Sequence, residues 1–219
     1  MLFLSIYSMV SLIAESSKSF AILYIPFWLI AFYILKKNRL LRYYGISKPS
    51  FGSIYSATIL ITLLLVCVIN VIILIVNGGF KHVTDFHYVI VLLSASFGEE
   101  LLFRGALLNF LKNRNISFKY IIIITSVMFA VFHLVNITFQ GIEHTLAQLV
   151  FALACGLCLG VLSWLTNSIV LCFLFHFLIN ISANDISDNY ALILIISLVL
   201  LIISSTVIYF TEKKNEVVH

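Results

Sequence analysis

Long apolar runs, separated by short polar segments, occupy most of the 219-residue chain. A helix needs about 20 predominantly apolar residues to cross the ~30 Å hydrocarbon core of a membrane, and several runs reach this length. The pattern predicts eight spans, at residues 2–14, 20–35, 54–77, 88–110, 120–136, 145–165, 168–183 and 190–210. The first run is short for a span, so seven spans is the alternative. We therefore expect an all-α fold, a polytopic transmembrane helical bundle.

The composition agrees with a membrane protein. Hydrophobic residues make up 62% of the chain and charged residues 10%, and the mean hydropathy is +1.14. These values are far from those of soluble domains. Because the chain contains neither a Pro/Gly-rich linker nor a low-complexity segment, we expect residues 1–219 to form a single membrane domain.

The basic residues are unevenly distributed between the loops. Most of them follow the second, fourth and last predicted spans, in the segments 36–48, 112–119 and 213–214. Loops rich in Lys and Arg face the cytoplasm, so we expect a protein of the cell membrane with both termini cytoplasmic. The net charge of +4 is then explained by contact with anionic lipid, and a nucleic-acid partner is not expected.

The fourth span contains three charged residues, Glu99, Glu100 and Arg104. A charged group at the centre of a span disfavours insertion by about 2.5–3.5 kcal/mol, so such residues usually mark a functional site. Glu100 and Arg104 are four residues apart and share one helix face, which favours a buried ion pair between them. Glu99 points about a third of a turn away, so it does not take part in this pair and is available for another role.

Two later spans add histidines, in the patterns Phe129-x-x-x-His133 and His176-x-x-x-Asn180. A single intramembrane histidine is as readily explained by a hydrogen bond between helices. The predicted spans, however, place Glu99, His133 and His176 at a similar depth, roughly 12–20 Å below the cytoplasmic helix ends. This agreement in depth indicates one shared site.

The sixth span carries a small residue every four positions, at Ala152, Gly156 and Gly160. This spacing allows close packing against another helix and predicts a structural stripe. Cys155 and Cys158 have the spacing of a redox motif, but they lack the βαβ context and are better explained as buried apolar side chains.

In this order, the motifs Glu99-Glu100-x-x-x-Arg104, Phe129-x-x-x-His133 and His176-x-x-x-Asn180 resemble the signature of the CPBP family of intramembrane proteases. That family includes CAAX prenyl endopeptidases and bacterial "Abi" proteins linked to bacteriocin self-immunity. The resemblance covers residues 99–180, within a core at 88–183, and leaves the first three spans unmatched. It implies an endopeptidase that acts on a membrane-associated peptide or protein, in bacteriocin self-immunity or in peptide maturation.

The resemblance also implies roles for the motif residues. Peptide hydrolysis needs an activated water and a stabilised oxyanion. Glu99 with His133 would hold and deprotonate the water, and His176 with Asn180 would donate hydrogen bonds to the oxyanion. The Glu100–Arg104 pair would orient the first motif. The expected catalytic positions are Glu99, Glu100, His133, His176 and Asn180, supported structurally by Arg104 and Phe129.

The resemblance leaves metal dependence open. Two histidines and a carboxylate, here His133, His176 and Glu99, form a known ligand set for catalytic zinc. The chain has no His-Glu-x-x-His pattern that would indicate zinc from spacing alone. We favour a site without a cofactor, because Glu99 does not easily serve both as a zinc ligand and as the only base.

Two other classes of function compete with a protease. A proton-coupled transporter would also hold Glu, His and Arg at mid-membrane, but it predicts inverted repeats with broken helices, which the sequence does not show. A non-catalytic membrane immunity or interaction protein would keep the bundle without needing all three motifs.

Overall fold

The computed structural model describes residues 24–76, 86–183 and 190–217, and the regular elements in these ranges are helices. The α-helices are α1 Tyr24–Lys37, α2 Ile54–Val76, α3 Phe86–Glu100, α4 Leu108–Lys112, α5 Phe118–Phe132, α6 Ile137–Gln140, α7 Ile142–Thr166, α8 Val170–Ala183 and α9 Tyr190–Val217. The predicted all-α fold is confirmed over these ranges. The predicted span 2–14 and the first four residues of the span 20–35 lie outside them.

Five of the described segments are long and apolar enough to cross a membrane: Ile54–Ile72, Phe86–Lys112, Phe118–Asn136, Ile142–Thr166 and Leu192–Thr211. Helix α8 is apolar but shorter, since its 14 residues extend over roughly 21 Å. Large apolar side chains such as Leu65 on α2 and Leu198 on α9 are exposed on the outer faces, as expected for contact with lipid. The fold is thus a polytopic membrane bundle, and the number of eight spans stays a prediction.

Helix α7 lies at the centre of the bundle, packed along α5 and α9. A Cβ atom at Gly156 would lie 3.2 Å from the Cα atom of Ser126, so only glycine allows this approach of α7 to α5. Gly160 faces Ile122 on α5, and Ala152 packs in one cluster with Phe129. The predicted packing role of the small-residue stripe is confirmed.

The fourth predicted span is not one uniform helix. Residues Leu101–Leu107, between α3 and α4, form a π-helical segment that begins directly after Glu100 and contains Arg104. Segments with i→i+5 hydrogen bonds are rare and occur frequently at functional sites. The prediction of a regular helix over 88–110 therefore missed a local change of helix type between two charged residues of the first motif.

The loop after α1 is attached to the ends of two other helices. The Asn109 side-chain amide donates to the Tyr43 carbonyl at 2.8 Å, and the Ser47 hydroxyl donates to the Asn167 carbonyl at 2.9 Å. The basic segments after α1 and α4 therefore lie at the same end of the bundle, as the predicted alternation of spans requires. We call it the basic end; that it faces the cytoplasm stays a prediction.

Candidate active site

Three parts of the bundle bring the motif residues together. Glu99 and Glu100 end α3, with Arg104 in the π-helical segment that follows. His133 comes directly after α5, and His176 lies on α8, which packs against α3. The similar depth expected for the Glu and His residues is thus matched by direct proximity in space.

Glu100 is completely buried and has two partners. Its Oε1 atom accepts a hydrogen bond from Arg104 Nη1 at 2.6 Å, which is the ion pair that the four-residue spacing predicts. The same oxygen lies 2.9 Å from His176 Nδ1. The sequence did not indicate this second contact, because it depends on how α8 packs against α3. Glu100 therefore connects the first motif to the third as well as pairing with Arg104.

Phe129 packs against three of the polar side chains. The Arg104 guanidinium carbon lies 4.3 Å from the centre of the Phe129 ring, a cation–π contact. The ring also meets His133 and His176 edge-on, with centroid distances of 4.8 and 5.4 Å. Arg104 is 1% exposed, and its Nη2 donates a long hydrogen bond to the Gly156 carbonyl at 3.4 Å. Phe129 and the backbone of α7 thus fix the positions of both imidazoles and of the guanidinium.

Glu99 differs from Glu100 in having no close ion pair. The Oε2 atom of each carboxylate is buried without a hydrogen bond in the described part of the chain, but that of Glu99 faces two histidines. This oxygen lies 4.0 Å from His133 Nε2 and 3.8 Å from His176 Nε2. Both distances are too long for a direct hydrogen bond and leave room for one atom between the three groups. A buried polar atom without a partner requires an explanation, and here it faces two imidazole nitrogens.

The backbone of α5 determines which ring nitrogen of neutral His133 carries the proton. Its Nδ1 atom lies 2.9 Å from the Phe129 carbonyl oxygen, which can only accept a hydrogen bond. Nδ1 therefore carries the proton, and Nε2 of the neutral ring is an acceptor directed towards Glu99. His133 begins a 3-10 turn, His133–Asn136, so α5 ends directly before this residue.

Asn180 lies one turn after His176 on α8, and its side chain contacts α3. Its Nδ2 atom donates to the hydroxyl of the buried Ser96 at 3.0 Å. This bond uses one of the two amide hydrogens and leaves the other available. The structure thus brings Asn180 to the same helix as Glu99, and Ser96 serves to hold α3 and α8 together.

The donor set Glu99, His133 and His176 is of the type that binds zinc. Around a tetrahedral zinc with bonds of about 2.0–2.2 Å, ligand atoms lie roughly 3.3–3.6 Å apart. The separations of 4.0 and 3.8 Å are somewhat longer, so zinc would require the side chains to move inwards. Over residues 24–76, 86–183 and 190–217, no three His, Cys, Asp or Glu side chains form a group arranged to hold a metal ion.

Comparison with known families gives one match. Residues 83–182 match the family model described as "Type II CAAX prenyl endopeptidase Rce1-like". The match includes all three motifs from Glu99 to Asn180 and coincides closely with the core expected at 88–183. The comparisons with curated proteins and with solved structures find no match. The resemblance indicated by the three motifs is thus confirmed: residues 83–182 are similar to the Rce1-like family of type II CAAX prenyl endopeptidases.

Proposed function

We propose that this chain is an endopeptidase that hydrolyses a peptide bond of a membrane-associated peptide or protein by means of a water activated by Glu99 and His133. The observation that carries the proposal is the buried Glu99 Oε2 atom, which has no hydrogen bond to any described residue and faces two imidazole nitrogens within 4.0 Å. This is the position in which a general base can hold a water molecule.

The water would be held by two acceptors. Glu99 Oε2 and the unprotonated Nε2 of His133 each accept one of its hydrogens, which turns an oxygen lone pair towards the substrate carbonyl carbon. As the water attacks, Glu99 takes the proton. The same proton can then pass to the leaving amine, so one carboxylate serves as base and acid in turn.

The oxyanion would be stabilised from α8. Glu100 accepts the Nδ1–H of His176, so a donor role for Nε2 requires that both ring nitrogens carry a proton. Nε2 of the imidazolium then donates to the carbonyl oxygen as it becomes negative, and the second amide hydrogen of Asn180 is the other donor. Donors held in place before the reaction stabilise the developing charge without reorganisation.

Arg104 and Phe129 would act as positioning residues. Arg104 offsets the negative charge of Glu100, and Phe129 packs against both imidazoles and the guanidinium. The proposed mechanism requires two carboxylates, Glu99 and Glu100, and two cations, His176 and Arg104, and these four charges sum to zero. A neutral cluster lowers the free energy needed to keep these charges within a membrane bundle.

The proposed substrate is a lipid-anchored peptide segment. The family description names CAAX prenyl endopeptidases, which points to a prenylated protein or peptide as the substrate. A peptide carried at the membrane by its lipid would reach a site enclosed by apolar helices. The proposed biological roles are maturation of such a peptide and bacteriocin self-immunity.

The test uses purified protein reconstituted into liposomes. Candidate substrates are a farnesylated peptide ending in Cys-aliphatic-aliphatic-X, the same peptide without the lipid, and a membrane-anchored control peptide lacking the cysteine. Mass spectrometry of the products identifies the cleaved bond. We compare Glu99→Gln with Glu143→Gln, which removes an exposed carboxylate from the first turn of α7.

We expect the wild type and Glu143→Gln to cleave the farnesylated peptide, and Glu99→Gln to leave it intact. Equal cleavage by Glu99→Gln would contradict the proposed mechanism. If the wild type cleaves no peptide in the panel, a non-catalytic membrane protein becomes the better description.

A further inference from the structure

A cavity of about 630 Å³ lies at the basic end of the bundle, separate from the oxygen of Glu99. None of the residues that line it is acidic. Four of them are basic: Arg42, Lys48, Arg104 and Lys112. Arg42, Lys48 and Lys112 are exposed, whereas Arg104 is buried. The cavity is therefore lined by three exposed cations and by the buried residue Arg104.

The wall of the cavity is fixed by hydrogen bonds that use its hydroxyl groups. Ser47 Oγ donates to the Asn167 carbonyl at 2.9 Å, and Ser50 Oγ donates to the Thr166 carbonyl at 3.1 Å. Thr166 Oγ1 in turn donates to the Leu162 carbonyl at 2.7 Å. Since these three hydroxyl hydrogens already have acceptors, the cationic side chains are the main groups that could bind a charged ligand.

Gly45 allows this wall to approach α8. It has a positive φ of 71°, its carbonyl accepts from the Ile169 amide at 2.9 Å, and a Cβ atom here would lie 3.1 Å from Ile169 Cγ2. The loop after α1 is thus held in place by contacts within the protein. A cavity with fixed walls loses little entropy when it binds one.

Arg104 provides a second, independent observation. Nη1 is paired with Glu100, but the buried Nε–H forms no hydrogen bond within the described residues. A buried N–H without an acceptor is unfavourable, so Arg104 would gain a hydrogen bond if its side chain turned towards an anion in the cavity. Arg104 is thus both the partner of Glu100 and a lining residue of the cavity.

We propose that this cavity binds a phosphate group. Several cations around one cavity match a group that carries more than one acceptor oxygen and a full negative charge, and Arg is well suited to phosphate geometry. The position at the ends of α4 and α7 is the level at which lipid headgroups lie, and basic pockets between membrane helices bind such headgroups. The phosphate belongs either to an anionic phospholipid or to a free phosphate, and the site is independent of the proposed proteolysis.

The test measures binding to the full-length protein, purified in a phosphate-free buffer and a neutral detergent. The probes are inorganic phosphate, dioctanoyl phosphatidylglycerol, and dioctanoylglycerol as the phosphate-free control lipid. The cavity variant is Arg42→Gln/Lys48→Gln/Lys112→Gln. The matched control, Lys36→Gln/Lys37→Gln/Lys119→Gln, removes the same number of charges at the same end, from residues that do not line the cavity.

We expect the wild type and the matched control to bind a phosphate-containing probe with equal Kd, and the cavity variant to bind on the order of 100-fold more weakly. A second variant, Arg42→Gln/Lys48→Gln, keeps the contact of Lys112 Nζ with the Trp164 ring at 4.5 Å. It tests the cavity without the risk that loss of this contact disturbs folding. It should bind roughly 30-fold more weakly than the wild type.

The two sources of phosphate are separated by the probes. Binding of inorganic phosphate indicates a free phosphate, whereas binding of phosphatidylglycerol alone indicates a headgroup; either result supports the site. The proposal is overturned if no phosphate-containing probe binds, if dioctanoylglycerol binds equally well, or if the matched control is weakened as much as the cavity variant. Since binding is the readout, a protein that cleaves no peptide can still pass this test.

Discussion

Glu99 and Glu100 are adjacent in sequence but have opposite environments. Glu100 has no exposed surface, and its Oε1 atom contacts both Arg104 and His176. This carboxylate is therefore used to hold the helices together. Glu99 is partly exposed, and its Oε2 atom has no hydrogen bond within the described chain. Because adjacent residues on a helix point about a third of a turn apart, one carboxylate can hold the helices together while the other remains available for chemistry.

The first prediction concerns Glu99 and His133. Glu99→Gln keeps the shape of the side chain but removes the base, so the rate of hydrolysis should fall roughly 10²–10⁴-fold. His133→Ala should have a similar effect. Since both groups would act on one water, the double variant should be little worse than the more severe single variant. Initial rates in proteoliposomes measure all three, and losses that multiply would mean that the two residues act separately.

The second prediction concerns the buried ion pair. Arg104→Ala leaves Glu100 with His176 as its remaining hydrogen-bond partner, and breaking a buried pair costs about 3–5 kcal/mol. The free energy of unfolding in detergent should fall by that amount. Glu100→Gln/Arg104→Met, which removes both charges, should recover much of the stability without restoring activity. An Arg104→Ala protein as stable as the wild type would show that the pair contributes nothing.

The third prediction addresses zinc. We expect purified wild type to contain less than one zinc per chain and to keep its activity after prolonged treatment with a strong chelator. If Glu99, His133 and His176 bind a catalytic zinc instead, the chelated protein should be inactive and should recover when zinc is added. One zinc per chain that disappears in both His133→Ala and His176→Ala would overturn the metal-free proposal.

At the scale of helices, the apolar pattern predicted most helix ends within about three residues over the described ranges, but α9 continues to Val217, beyond the predicted end at 210. The span 54–77 corresponds to Ile54–Val76, and 145–165 to Ile142–Thr166. The change to a π helix at Leu101 could not be predicted, because the apolar pattern continues through it and the cause lies in packing. A Cβ atom at Gly105, within that segment, would lie 2.9 Å from the Tyr44 carbonyl oxygen, so a distant loop constrains it.

The site was predictable to the extent that its contacts are local. The Glu100–Arg104 pair follows from a spacing of four residues on a helix. The contact of Glu100 with His176 joins residues 76 positions apart and requires α8 to pack against α3. Depth along the spans indicated that Glu99, His133 and His176 meet, but neither the edge-on packing of Phe129 nor the Nδ1 proton of His133 could be read from sequence.

The fourth prediction tests how helix packing supports the site. Gly156→Ala would place a Cβ atom 3.2 Å from the Ser126 backbone and 3.4 Å from the Phe129 ring, so α5 must move and His133 with it. Gly160→Ala on the same helix meets Ile122 at 3.5 Å, an ordinary contact, and is the matched control. We expect a loss of activity for Gly156→Ala that exceeds its loss of stability, and little change for Gly160→Ala. Activity and unfolding in detergent are measured together. Equal effects at the two positions would argue that the packing of Gly156 against α5 does not position His133.

At the scale of the whole molecule, the structure explains why the basic segments cluster. Two hydrogen bonds hold the loop after α1 near the ends of two helices. The Asn109 amide donates to the Tyr43 carbonyl, and the Ser47 hydroxyl donates to the Asn167 carbonyl. The charge asymmetry along the sequence indicated that these segments share one side. It did not indicate the cavity that they enclose, because the cavity depends on the path of the loop between α1 and α2.

The last prediction concerns orientation in the membrane. The four native cysteines are buried, which gives a low background for labelling with a membrane-impermeant maleimide. Lys48→Cys lies in the exposed loop at the basic end, and Glu143→Cys is exposed at the start of α7, at the opposite end of the bundle. If the basic end is cytoplasmic, Glu143→Cys should be labelled on intact cells and Lys48→Cys only after permeabilisation. The reverse pattern would invert the orientation, whereas labelling of both from one side would contradict a helix α7 that crosses the membrane.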